Sequence, residues 1–142
     1  MGNISEAENS TRLVFCRENV DPGEISRLLG LSPSEAVRVG EPLSYGNGYT
    51  RASHLGIWKL ELPGVCGADS VEEQIVQWLM LLEPLTGAFK QLKEMGYEPY
   101  LECKASQGSL SLCVDPEVLS RLGHLNIALS VWLYEQSTAN DA

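Results

Sequence analysis

Two stretches of this chain share one grammar: "NVDPGEISRLLG", beginning at Asn19, and "CVDPEVLSRLGHL", beginning at Cys113. In each, an aspartate that can accept a hydrogen bond from a helix N-terminus precedes a proline, whose fixed φ and missing N–H suit the first helical position. Glu24, three residues after Asp21, can reach back in a capping-box arrangement in the first copy. Apolar residues then recur at helical spacing, Ile25, Leu28 and Leu29 in one and Val118, Leu119 and Leu122 in the other, and a glycine, Gly30 or Gly123, offers the left-handed stop. Short apolar runs precede the two phrases, "LVFC" from Leu13 to Cys16 and "SLSLCV" up to Val114, and extended segments follow them, "EAVRVG" and "NIALSVWLYE". The pattern predicts two strand-helix-strand units, one near each end. Duplication of one unit and chance recurrence of a common helix start both account for it. In the last strand Ile127, Leu129, Val131 and Leu133 share one face while Ala128, Ser130, Trp132 and Tyr134 share the other, and two apolar faces suit an interior strand.

Between the units, "HLGIWKLELPG" alternates with Trp58, Leu60 and Leu62 inward and Ile57, Lys59 and Glu61 outward, a strand closed by Pro63-Gly64. Ser70 and Glu73 form another capping box, opening a helix striped with Val71, Ile75, Trp78, Leu79 and Leu82. Pro84 interrupts it, and the pattern resumes through Leu85, Ala88, Phe89, Leu92 and Met95 until Gly96. "LECKASQGSLSLCV" alternates on both sides of Gln107-Gly108 and predicts a hairpin pairing Leu101 with Val114, Cys103 with Leu112 and Ala105 with Leu110. The resulting order is that of an α+β, two-layer fold: a largely antiparallel sheet with helices on one face, and within it the two related strand-helix-strand units. At 142 residues, one domain over 12–134 is expected, with polar, flexible ends at 1–11 and 135–142.

The hairpin register sets Cys103 and Cys113 on opposite faces, which argues against a disulfide between them and for reduced thiols in a cytoplasmic protein. No apolar run reaches the roughly 18 residues needed to cross a bilayer. The four cysteines form no C-x-x-C pair and only His54 and His124 are available beside them, so no metal site is expected. His54 lies in a polar stretch, and His124 follows a helix stop where it can bond terminal carbonyls. Cys66, just before the Ser70 helix start, is the one thiol placed where a helix dipole favours the thiolate, yet an inert loop thiol is the favoured reading. Neither a nucleophile elbow, a phosphate-binding loop nor a dinucleotide fingerprint is present in a fitting context, so no catalytic residue and no cofactor is assigned. "YGNGYT" is a tight turn at Asn47-Gly48.

Charge says more. Against 10 basic residues stand 19 acidic ones, a net of -9, and repulsion makes nucleic acid a poor direct partner. The same surplus can steer the chain towards a basic protein. Glu72, Glu73, Glu83 and Glu94 on the long helical segment, with Glu98 and Glu102 beyond it, are the candidates for an acidic partner-binding face. The loop from Glu41 to Gly56 adds Tyr45, Tyr49 and Arg51, residue types that anchor interfaces.

"VDPGEISRLLGLSPSEAVRVGEP", a Gly-containing loop, "GIWKLEL", a long helix and the closing "DPEVLSRLGHLNIALSVWLY" together resemble a bacterial family, domain of unknown function 4279, over roughly residues 12–134. The D-P-x-x-I-x-x-L-L-G-L-x-P segment and the Trp58 strand carry the resemblance. It implies an α+β fold and brings no catalytic residues; by analogy with small acidic immunity proteins it suggests a toxin as partner. The expected function is therefore a non-enzymatic protein-binding module, most concretely an immunity protein that neutralises a basic toxin domain such as a nuclease. Two other readings stand beside it: a small-molecule binder or enzyme with a pocket near residues 41–56 that uses Cys66, His54 or the tyrosines, and a homo-oligomeric scaffold.

Overall fold

The computed structural model describes residues 9–44, 46–64, 70–106 and 112–134. Strand β1 (Ser10–Arg17) leads into α1 (Pro22–Leu29) and β2 (Glu35–Val37); β3 (Pro42–Ser44) and β4 (Thr50–Ala52) form a separate hairpin before β5 (Gly56–Glu61). Helix α2 (Val71–Leu82) passes through one 3-10 turn (Glu83–Leu85) into α3 (Thr86–Glu94), and β6 (Tyr100–Ser106), α4 (Pro116–His124) and β7 (Ala128–Tyr134) complete the order. The five-stranded sheet runs β2-β5-β1-β6-β7. Its pairings are antiparallel except that β6 and β7 run parallel. The fold is α+β, as the alternation of strand and helix patterns predicts. Both β1 and β2 are antiparallel to β5 and hence parallel to each other, so α1 carries the chain across a strand, whereas α4 joins two neighbours.

The helices line one side. Helix α2 packs on β1 and β6, α1 on β5, and the layer closes through contacts of α1 with α3 and of α2 with α4. Because side chains alternate along a strand, β1 turns Thr11, Leu13 and Phe15 towards the helices and Arg12, Val14 and Cys16 away. Phe15 stands edge-on to Trp58, ring centroids 5.6 Å apart, and edge-on to Tyr97 at 6.0 Å. Trp58, Trp78, Phe15, Ile75 and Leu101 are fully buried here, and truncating any one aromatic to alanine costs about 3–5 kcal/mol by the usual core arithmetic. Polar groups inside this layer are paired: the Trp78 indole donates to Thr11 Oγ1 at 2.8 Å, Thr11 donates to Gln74 Oε1 at 2.8 Å, and Gln74 Nε2 donates to the Asn9 carbonyl at 3.0 Å.

Local chemistry explains most boundaries. Ser70 and Glu73 form the reciprocal capping box at α2, and Pro84 sits in the 3-10 turn that separates α2 from α3. Gly30 ends α1 at φ 68° and Gly96 follows α3 at φ 91°. At Gly56, where β5 begins, a Cβ would lie 2.0 Å from the Val20 carbonyl oxygen, so only glycine fits.

Several expectations are overturned. Asp21 does cap α1, accepting from the Gly23 N–H at 3.1 Å. Glu24, however, does not reach back; it accepts from the Tyr97 hydroxyl at 2.6 Å, and Tyr97 Oη accepts from the Asp21 N–H at 3.3 Å. A tyrosine 76 residues downstream thus replaces the capping box. The hairpin of 101–106 with 109–114 is absent from the described residues: β6 already pairs with β1 on one side and β7 on the other, so Leu101 faces Leu13 and Leu129, and Cys103 faces Thr11 and Val131. Its turn, Gln107-Gly108, and Leu110 lie outside the described residues. Leu112 and Val114 pack against the core as irregular chain instead, with Cys113 exposed between them. Helix α4 continues past Gly123 to His124 and turns at Asn126, φ 62°; Leu119 is 47% exposed, and Leu122 and Leu125 supply the buried contacts. Finally, among the described strands β7 lies at the edge of the sheet and not in its interior.

Candidate functional site

The stretch from Glu41 to Gly56 folds largely as the β3–β4 hairpin, in register Pro42 with Ala52, Leu43 with Arg51 and Ser44 with Thr50. The connection is wider than the tight turn expected at Asn47-Gly48, since the last described pair is Ser44 with Thr50; within it Gly48 adopts φ 84° and Asn47 Oδ1 accepts from the Tyr49 N–H at 2.9 Å. The base is fixed. Gly40 N–H donates to the Ser53 carbonyl at 2.6 Å, Ser53 N–H donates to the Glu41 carbonyl at 2.8 Å, and the buried Ser53 hydroxyl donates to the Leu55 carbonyl at 2.8 Å. Glu41 also accepts from the Arg38 N–H. From this clasp the hairpin presents Tyr49, 57% exposed, and an exposed Arg51. Tyr45 lies outside the described residues.

The acidic candidates do not share one face. Glu72 and Glu73 stand at the start of α2, where Glu73 serves the capping box and Glu72 accepts from the Cys113 N–H at 3.1 Å. Glu83, about 15 Å further along at 1.5 Å per residue, receives both Arg121 nitrogens, at 2.6 and 2.8 Å. That hydrogen-bonded guanidinium holds its carboxyl below the ordinary carboxylate value and raises Arg121 in turn. Glu94 is exposed at the end of α3, and Glu98 is ion-paired with Arg17. Glu102 points from β6 to the side away from the helices, in the row Glu61, Arg12, Glu102, and bonds Arg12 at 2.5 Å. The sequence gives no hint of these partners, because each arginine lies at least 38 residues from its glutamate.

A cleft of about 650 Å³ opens where β1 ends and β6 and β7 begin, lined in part by Arg17, Lys93, Glu98, Tyr100 and Asn126. None of its lining comes from residues 41–56. Within its lining, burial and then the hydrogen bond to Glu24 push the Tyr97 phenol up to about 12, and burial, ahead of nearby Cys16 and Glu102, raises Tyr100. Neither is a base near neutral pH.

The described thiols differ in access. Cys103 is fully buried, and burial, with the Glu102 charge second, pushes it up to about 12, so it is an inert core group. Cys16 is half-buried on the helix-free face and Cys113 is exposed; Cys66 lies outside the described residues. Exposed His54 lies in the connection from β4 to β5, and exposed His124 at the end of α4. Among the described residues no three His, Cys, Asp or Glu side chains cluster as a metal would require, and no helix is long and apolar enough to cross a membrane.

No curated protein and no solved structure matches the chain. A family model does: the one described as "Domain of unknown function (DUF4279)" matches residues 7–136, nearly the whole chain. The helix-start phrase and the Trp58 strand of this α+β domain thus sit in a recognised family setting, and the chain belongs to the DUF4279 family.

Proposed function

We propose that the chain is a non-enzymatic, acidic protein-binding module whose β3–β4 hairpin engages a basic partner, most concretely a toxin domain such as a nuclease that it neutralises by direct contact. The observation that carries this reading is the hairpin itself: a two-stranded element outside the main sheet, clasped at its base, presenting Tyr49 and Arg51 to solvent. Tyrosine and arginine supply large contact area and directed hydrogen bonds, and a fixed base lowers the ordering cost of binding. The net charge of -9 adds long-range attraction to a cationic partner. The purified chain is to be titrated, at increasing salt, with the basic proteins that a pull-down from its native cells recovers. Binding that weakens with salt, and by about 30-fold in Tyr49→Ala, supports the proposal; no binding, or salt-independent binding indifferent to Tyr49→Ala and Arg51→Ala, refutes it.

The cleft favours a second reading, a small-molecule binder, since its volume is that of ordinary ligand sites. A metabolite that raises the melting temperature, with the shift lost in Tyr100→Ala, would favour this reading over the first.

A further inference from the structure

Strand β7 has the composition of an interior strand and the position of an edge strand. Its seven residues, "ALSVWLY", carry no charge and no proline, yet its only neighbour among the described strands is β6. Three consecutive side chains are open to solvent: Val131 at 40%, Trp132 at 59% and Leu133 at 63%. Trp132 lies on the helix-free side of the sheet and the other two on the helix side, so the exposure is not one patch but the whole rim.

The backbone fixes what that rim can accept. Ala128 N–H donates to the Pro99 carbonyl at 3.1 Å, so the Ala128 peptide groups face β6. Alternation along the strand then turns the N–H and C=O of Leu129, Val131 and Leu133 outward. An outward row of donors and acceptors on a long, uncharged strand is a template for another strand.

We propose that β7 pairs antiparallel with β7 of a second copy of this chain, about a two-fold axis at Val131, joining the two sheets into one. This register uses all seven residues and sets outward-facing groups against outward-facing groups: Val131 meets Val131 of the second copy, and Leu129 meets its Leu133. Side chains match as well. On the helix side the row across the seam is wholly apolar. On the other side Ser130 meets the second copy's Trp132. Rows on that side begin with Glu102 in one copy and end with Lys104 in the other, since Glu102 stands beside Ser130 and Lys104 beside Trp132. The flanking charges are therefore opposite, about 14 Å apart across three strand spacings. Two bodies of net charge -9 repel as wholes, so a seam that carries no charge of its own, beside a Glu102 already paired with Arg12, is the arrangement that lets them meet.

Sedimentation equilibrium of the full chain from about 1 to about 300 µM tests this. The expected mass climbs from 15.6 kDa towards twice that value. Val131→Pro removes an N–H that β6 does not use, and Val131→Lys places two ammonium groups on the axis; both are expected to stay at the monomer mass with an unchanged circular dichroism spectrum. Should either fail to fold, Val131→Cys gives an independent readout. Opposed Cα atoms in a hydrogen-bonded antiparallel pair are about 5.5 Å apart, within disulfide reach, so mild oxidation is expected to yield a 131-to-131 cross-linked peptide. A wild-type mass of 15.6 kDa throughout, a dimer surviving in folded Val131→Pro and Val131→Lys, or no such peptide overturns the proposal.

Discussion

Strands β2 and β7 end the same sheet in opposite ways. β2 has three residues, Glu35–Val37, preceded by Pro33 and followed by Arg38, so its rim is short and charged. β7 has seven, uncharged and apolar on both sides. Natural edges are guarded against pairing by shortness, charge or proline; β2 has all three guards nearby and β7 has none. The unguarded β7 edge is the one proposed above to pair with a second copy. The helices feeding the two edges differ too: α1, before β2, is capped by Asp21 and tied by Tyr97, whereas Asp115 makes no side-chain cap bond to α4, before β7.

The largest effect is expected from a lysine placed on each rim. Val131→Lys should weaken self-association by at least about 100-fold, like charges on a two-fold axis costing several kcal/mol, while Ala36→Lys on β2 leaves the sedimented mass unchanged. Next come the rims' apolar side chains. Val37 is 9% exposed and packs within its own monomer, so Val37→Ala should cost about 1.5 kcal/mol in urea unfolding. Trp132→Ser should change the stability of dilute protein by under about 0.5 kcal/mol yet reduce association. A contrast of about 1 kcal/mol is expected between the caps, with Asp21→Ala costly and Asp115→Ala nearly silent to denaturation.

The last contrast is a pH dependence centred on the Tyr97 hydroxyl, which ties the start of the helix before β2 and has no counterpart at α4. The Tyr97 phenol is raised in the folded state from 10 to about 12. Its contribution is therefore complete below about pH 10 and fades as pH rises towards 12, because the unfolded chain gives up that proton first. Urea midpoints should fall across this window in the wild type, and that component should be missing in Tyr97→Phe.

Much of the fold can be read from local chemistry. The proline-led helix starts, the Ser70–Glu73 box, the break at Pro84, the Trp58 strand and the Asn47-Gly48 turn each depend on residues within a few positions of one another. What cannot be read this way depends on distant partners. Tyr97 displaces a capping box from across the fold. The alternation of Leu112, Cys113 and Val114 is real, but it covers the core without joining the sheet, because both sides of β6 are already occupied. β7 reads as interior because both its faces are apolar, and no local feature says which strand lies beside it. Among the candidate contact residues, the exposed Tyr49 and Arg51 of a hairpin are legible from the turn. The glutamates' arginine partners come from other elements and are not.

Amide hydrogen exchange along β7, measured at low and high protein concentration, examines the self-paired edge most directly. The account expects the amides of Leu129, Val131 and Leu133 to exchange freely in dilute protein and to become as protected as those of Ser130 and Trp132 at high concentration, with β2 unaffected. Outward amides that exchange at the same fast rate at every concentration would contradict it.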